Sequence, residues 1–118
     1  MTEMVGVDLI EIERLERALE RRPRLAERVF WPSELEAADR GRPGRHLAAR
    51  FAAKEAALKC LGIGGLGLRD VEVVGGGNTA PELQLHGRAA EAAERLGVKL
   101  SVSLTHSREL AAAVVVAR

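Results

Sequence analysis

The sequence predicts an α+β fold: a single small domain over residues 1–118 in which a short-stranded antiparallel or mixed sheet packs against helices. Three observations lead there. Helical and strand-like segments follow one another without a regular βαβ alternation. The strand segments are valine-rich and the helical ones alanine-rich, as layers packed on one face require. The chain of 118 residues is 47% hydrophobic, enough bulk for one core.

"EMVGVDLIEIERLERALERR" opens as a strand, Met4 to Val7, and is predicted to turn helical from about Leu9, where Ile12, Leu15 and Leu19 recur at helical spacing. Pro23 ends that helix, because the residue before a proline is pushed out of the α region. "SELE" announces a second, short helix: Ser33 caps while Glu36 reaches back in a capping box. It fades by "DRGRPGR", a loop by composition. A third helix is predicted from about His46 to Leu61, rich in alanine and stopped by Gly62. "GIGGLGLRD" is too glycine-rich for regular structure. "DVEVV" reads as a short strand, "GGGNTAP" as a turn, "ELQLHG" as another strand and "RAAEAAERLG" as a fourth helix closed by Gly97. Two strands follow, "KLSVSLTH" and "AAAVVVAR", joined through "SREL" as a hairpin.

Composition removes several classes of function. Phe30, Phe51 and Trp31 are the only aromatic residues besides histidine, so stacking platforms for single-stranded nucleic acid are not expected. A formal charge of +1 provides no global attraction to polyanions, and any charged partner must meet a local patch. Cys60 stands alone, which excludes an intrachain disulfide and a thiolate metal cluster and leaves small core filler as its role. The apolar run Met4 to Ile10 is short, interrupted by Asp8 and without a basic leader, and no segment reaches about eighteen apolar residues. The expectation is a cytoplasmic protein with neither membrane nor nucleic acid among its partners.

The chemical signal lies in "RFAAKEAALKCLG". Leu47, Phe51, Leu58 and Leu61 make an inward stripe, and Glu55 falls on it. An ion pair with Lys59, four residues on, is one reading, although burying such a pair adds little net stability. Asp8, embedded in "VGVDLI", is either the N-cap of the first helix or a second carboxylate for the same place. Two carboxylates in apolar surroundings repel if they meet. A divalent cation resolves that repulsion, and Mg²⁺ is held by one or two carboxylates plus substrate phosphates. Arg50, Lys54 and Lys59 on the same helix suit a phosphorylated substrate, and His106 sits where a strand gives way to a loop. Arg14, Arg17, Arg21, Arg24 and Arg28 recur at spacings of three and four. They make either a solvated face offset by Glu13, Glu16 and Glu20 or a docking strip for an acidic helix.

Together, "GVDLIEIERL", "AERVFWPSELE", "ARFAAKEAALKCLG" and "SVSLTHSRELAAAVV", in that order, resemble the holo-acyl-carrier-protein synthases, the small bacterial type of 4′-phosphopantetheinyl transferase, over nearly the whole chain. The resemblance implies the transferase fold and homotrimers with active sites between subunits. It implies transfer of phosphopantetheine from coenzyme A to a serine of an apo-acyl carrier protein, releasing adenosine 3′,5′-bisphosphate, in support of fatty acid or polyketide synthesis. By the same resemblance Asp8 and Glu55 bind Mg²⁺, Glu55 is the candidate base for the serine proton, directly or through a metal-bound water, and Lys59 meets the pyrophosphate. Arg50, Lys54 and His106 lie around coenzyme A, with Gly62, Gly64 and Gly65 letting backbone approach the nucleotide. Arg14, Arg21 and Arg24 dock the acidic helix of the carrier protein, with Arg28 beyond them. The chain departs from the family's usual pattern at Ile63, Ala80 and Trp31.

Overall fold

The structure, a computed structural model, describes residues 3–38, 41–64, 67–76 and 79–118. Strand β1 (Met4–Glu11) leads into helix α1 (Ile12–Arg21), the short helices α2 (Leu25–Val29) and α3 (Pro32–Ala37), and the long α4 (Pro43–Leu61). A 3₁₀ turn (Leu68–Asp70), strands β2 (Val71–Val74) and β3 (Glu82–Leu85), helix α5 (Gly87–Leu96), and strands β4 (Leu100–His106) and β5 (Leu110–Ala117) complete the described elements. One sheet has the order β1-β5-β4 and the other is the β2-β3 pair, both antiparallel. This is the α+β architecture expected.

Helix α4 lies across the inner face of the three-stranded sheet and is buried on almost every side. Its alanines make that possible: Ala48, Ala52, Ala53, Ala56 and Ala57 are small enough for β1, β5, α1 and α5 to approach from different directions. Val71, Val73, Ala89, Ala113 and Val115 close one half of the core around it, and Ile12, Leu15, Val29, Phe30 and Leu47 close the other. Gly62 and Gly97 end α4 and α5 at φ of 68° and 67°, the left-handed conformation glycine adopts without penalty.

The other face of the sheet carries few polar groups on β1 and β5. The register sets Val5 against Val116, Val7 against Val114 and Leu9 against Ala112. Val5, Val7 and Leu9 are 60%, 54% and 63% exposed. They form a contiguous apolar strip continued by Val114.

Four local expectations are corrected. Strand β1 runs to Glu11 rather than yielding to helix near Leu9, because its ladder with β5 continues to the pair Glu11 and Leu110. Asp8 is therefore a mid-strand residue and caps nothing; α1 starts at Ile12, whose amide donates to the carbonyl of Glu109 at 2.8 Å. Helix α3 is preceded by Trp31, and the carboxylate reaching back to the Trp31 amide is Glu34 at 2.7 Å, not Glu36. Helix α4 begins three residues early, with Pro43 in its first turn where a proline loses no helical bond. The chain just before it is clamped to α1 by Arg42, which donates twice to Glu16 at 2.7 and 3.1 Å and holds that carboxyl below its usual range.

Trp31 fastens the seam between α3 and β2. Its indole donates to the Arg69 carbonyl at 2.8 Å, the Arg69 guanidinium lies 4.8 Å from its ring, and the His86 ring lies 4.4 Å away, centroid to centroid. His86 is held in turn by Glu72 at 2.9 Å, and Glu72 also accepts from Ser33 at 3.1 Å.

Candidate active site

Gly6, Asp8 and Ile10 share the face of β1 that turns toward α4. Opposite Asp8, α4 presents Glu55 and Lys59. Lys59 Nζ donates to Asp8 Oδ1 at 2.9 Å and to the Val7 carbonyl at 3.4 Å, so the amine crosses to β1. Among the described residues it does not pair with its i−4 neighbour Glu55. The bond to Asp8 holds the Lys59 ammonium above its usual range. Glu55 is pushed the other way: burial raises its carboxyl, the negative charge of Asp8 raises it further, and Lys59 only partly opposes them.

The two carboxylates open on a groove of about 640 Å³ lined by Arg14, Leu15, Leu25, Phe51 and Leu68, among others. Its donor set is oxygen only, and among the described residues no group of three or more His, Cys, Asp or Glu side chains gathers anywhere. Two carboxylates that destabilise each other, with room left for water and substrate oxygen, fit a hard divalent cation such as Mg²⁺ and do not fit a closed zinc site.

A second groove, of about 660 Å³, lies around Arg50, His46 and His106, with Gly75, Thr79 and Pro81 on its wall. Arg50 is only 6% exposed. Its Nη2 donates to the Gly75 carbonyl at 3.0 Å and its Nη1 to that of His46 at 3.5 Å, while its buried Nε has no partner among the described residues. The His46 and His106 rings lie 6.1 Å apart. Burial, and then the positive field of Arg50, depress the His46 imidazole below its usual value. An anion entering here would meet a guanidinium already desolvated and one N–H short of a partner.

Of the residues singled out in the sequence, Asp8 and Glu55 meet in the first groove with Lys59 bonded to Asp8, and Arg50 and His106 lie in the second. Lys54 reaches neither, which corrects its expected position. Its side chain is 0% exposed, paired with Glu34 at 2.8 Å, bonded to the Val71 carbonyl and 5.7 Å from the Phe30 ring centroid. One residue along α4 from Glu55 points the side chain into the core, and Glu34 compensates the charge there while also accepting from the Val73 amide at 2.9 Å. Gly62 and Gly64 follow α4, and a Cβ at either would meet open space among the described residues, so only Gly62, by its φ, requires glycine. Gly65 lies outside the described residues. Arg14, Arg21 and Arg24 are exposed, with Arg14 on the rim of the first groove. Arg17 is drawn to Glu13. Cys60 is buried and directs its thiol at the Met4 carbonyl. Ile63, where the chain departs from the family's pattern, packs on the core.

Sequence reasoning missed Glu34 and His46. Nothing in "PSELE" marks which glutamate is buried, whereas His46 stands four residues before Arg50 on one helix face, a spacing that could have found it.

A family model described as the 4′-phosphopantetheinyl transferase superfamily matches residues 4–115. A holo-[acyl-carrier-protein] synthase of Moorella thermoacetica is 51% identical over 114 residues, covering 92% of this chain and 88% of that protein. One from Streptomyces griseus is 49% identical over 116 residues, covering 96% and 95%. Among solved structures, the Chronobacterium ammoniagenes ACPS-CoA complex superposes with a TM-score of 0.88 at 32% identity, covering 100% of this chain and 98% of that one. The Helicobacter pylori holo-[acyl-carrier-protein] synthase in complex with coenzyme A gives 0.83 at 30% identity, covering 98% and 100%.

Proposed function

The chain belongs to the 4′-phosphopantetheinyl transferase superfamily, and from that membership we propose that it is a holo-acyl-carrier-protein synthase acting in the cytoplasm as a single transferase domain. It moves 4′-phosphopantetheine from coenzyme A to a serine of apo-acyl carrier protein in support of fatty acid or polyketide synthesis. The observation that carries this reading is the pair Asp8 and Glu55, two carboxylates brought together against their own repulsion beside Lys59.

In the reaction the serine hydroxyl attacks the β-phosphorus of the coenzyme A pyrophosphate. The new P–O bond replaces the bond to the nucleotide half, which leaves as adenosine 3′,5′-bisphosphate. Glu55 takes the serine proton; its carboxyl is raised by burial and by Asp8 when no cation neutralises the pair. Lys59 orients Asp8 and presents charge to the pyrophosphate. Asp8 and Glu55 would hold Mg²⁺, which supplies Lewis-acid neutralisation of charge on the phosphate oxygens. Because the leaving group is a stable phosphate, positioning and electrostatics carry more of the catalysis than a strong general acid.

Arg50 and His106 receive the nucleotide end of coenzyme A. Within one chain they open on a different groove from Glu55, which supports a site completed by a neighbouring copy. The exposed strip Val5, Val7 and Leu9 gives such copies an apolar face to share, in a homotrimer. Arg14 lines the carboxylate groove, and the exposed Arg21 and Arg24 follow it in the chain; there an acidic carrier helix would dock and bring its serine to Glu55.

The test is the intact mass of apo-acyl carrier protein after incubation with this protein, coenzyme A and Mg²⁺. A gain of about 340 Da, one phosphopantetheine, that disappears with EDTA is expected. No gain from folded protein across several carriers overturns the reading and leaves a module that binds acidic helices.

A further inference from the structure

Of the described glycines, Gly6 meets the hardest obstacle. A Cβ there would stand 1.9 Å from the carbonyl oxygen of Ala56 and 2.9 Å from the amide nitrogen of Cys60. Both are backbone atoms of α4, so no side chain can swing aside. Gly44 is the contrast: a Cβ there meets the end of the Glu16 side chain at 2.3 Å, a group that can move. Gly6 lies two residues before Asp8 on the same face of β1, and Ala56 is the residue after Glu55. The point where the strand touches the helix backbone is therefore flanked by the two carboxylates.

We infer that Gly6 is a positioning residue that sets the span between Asp8 and Glu55 and so the size of cation the pair can hold; the inference rests on the proposed metal role of those carboxylates. An alanine at position 6 must move β1 until the contact relaxes from 1.9 to the 3.4 Å of ordinary packing, a retreat of about 1.5 Å. Mg²⁺ demands near-ideal geometry at about 2.0–2.1 Å from each oxygen, whereas Ca²⁺ accepts about 2.3–2.6 Å with irregular coordination. A widened pair therefore loses Mg²⁺ more than Ca²⁺.

The experiment is calorimetric titration of the full chain, saturated with coenzyme A and without carrier protein, with Mg²⁺ and with Ca²⁺, against a blank of coenzyme A alone. Gly6→Ala is expected to weaken Mg²⁺ by roughly tenfold or more and Ca²⁺ by about threefold at most. Asp8→Glu in the Gly6→Ala background adds one carbon–carbon bond of about 1.5 Å and is expected to return Mg²⁺ to within about threefold of the original chain. Asp8→Glu alone overshoots and weakens Mg²⁺ by roughly tenfold. This last variant carries the test by itself if Gly6→Ala does not fold. Mg²⁺ binding unchanged in folded Gly6→Ala, equal losses of both ions, or unchanged Mg²⁺ binding in Asp8→Glu overturns the role of Gly6 alone. An original chain that takes up neither ion overturns the metal reading of Asp8 and Glu55, and this inference with it.

Discussion

The two grooves on either side of α4 are electrostatic opposites. Glu55 and Arg50 are five residues apart, which turns their side chains about 140° from each other around the helix axis. On the Glu55 side, burial and then the negative charge of Asp8 raise the Glu55 carboxyl, and Lys59 is bonded to Asp8. On the Arg50 side, a buried guanidinium with an N–H unpartnered among the described residues stands beside a histidine whose protonation is suppressed. The first groove sets its carboxylates beside Lys59 and Arg14, and the second gathers Arg50, His46 and His106. A pyrophosphate donor needs both, a base at one end and cations at the other, so the difference teaches how the two sides of α4 divide the work that the proposed transfer requires.

The sharpest way to break the contrast is to neutralise its acidic side. Glu55→Gln should lower transfer by about a thousandfold or more while the domain stays folded. It should also stabilise the protein in EDTA at neutral pH. The Glu55 carboxyl is raised in the fold, so the folded state binds more protons than the unfolded one. Stability then falls as pH climbs from the ordinary carboxylate range through the raised value, and the amide removes that loss. A melting temperature higher by a few degrees checks this; a variant inactive because it is unfolded would sink the account.

Lys54 lies between the halves and belongs to neither. Lys54→Met should cost about 3–5 kcal/mol of stability by leaving Glu34 charged and alone in the core. The KM for coenzyme A of whatever folds should stay within about twofold of the original. Denaturant melts of this variant and of the Lys54→Met/Glu34→Gln pair, which should recover part of the loss, separate the two roles.

On the basic side, Arg50→Met should raise the KM for coenzyme A by roughly tenfold or more. If the halves are completed between copies, dissociating and mixing this variant with Glu55→Gln should restore roughly a quarter of full activity, since that share of randomly formed interfaces carries both intact halves. No recovery on mixing would mean that each copy works alone. The smallest effect belongs to the rim: Arg14→Ala, Arg21→Ala and Arg24→Ala should each slow association with carrier protein a few-fold at low salt and much less at high salt.

The longer elements in their order, the final hairpin and both glycine caps were legible because each rests on short-range chemistry. What was not legible depends on tertiary choice. Leu9 and Ile12 carry a helical spacing, yet the ladder with β5 holds the chain extended through Glu11. Glu34 and Glu36 look alike in sequence, and only the buried Lys54 amine and the Val73 amide select Glu34. Helix α2, five residues long, is too short to show a period. At the site, the stripe argument found Glu55 because a carboxylate among leucines is anomalous in one dimension. It assigned Lys54 to phosphate because charge alone cannot say which way a lysine points on a helix buried all round.

The seam at Trp31 gives the protein an internal reporter. Because Trp31 is the only tryptophan, the intrinsic fluorescence comes from one indole packed between Arg69 and His86. Its emission therefore reads the state of a single joint, where α3 is pinned to β2 by Glu34. A change in that emission when carrier protein or coenzyme A is added would follow the joint directly, in real time and without a label.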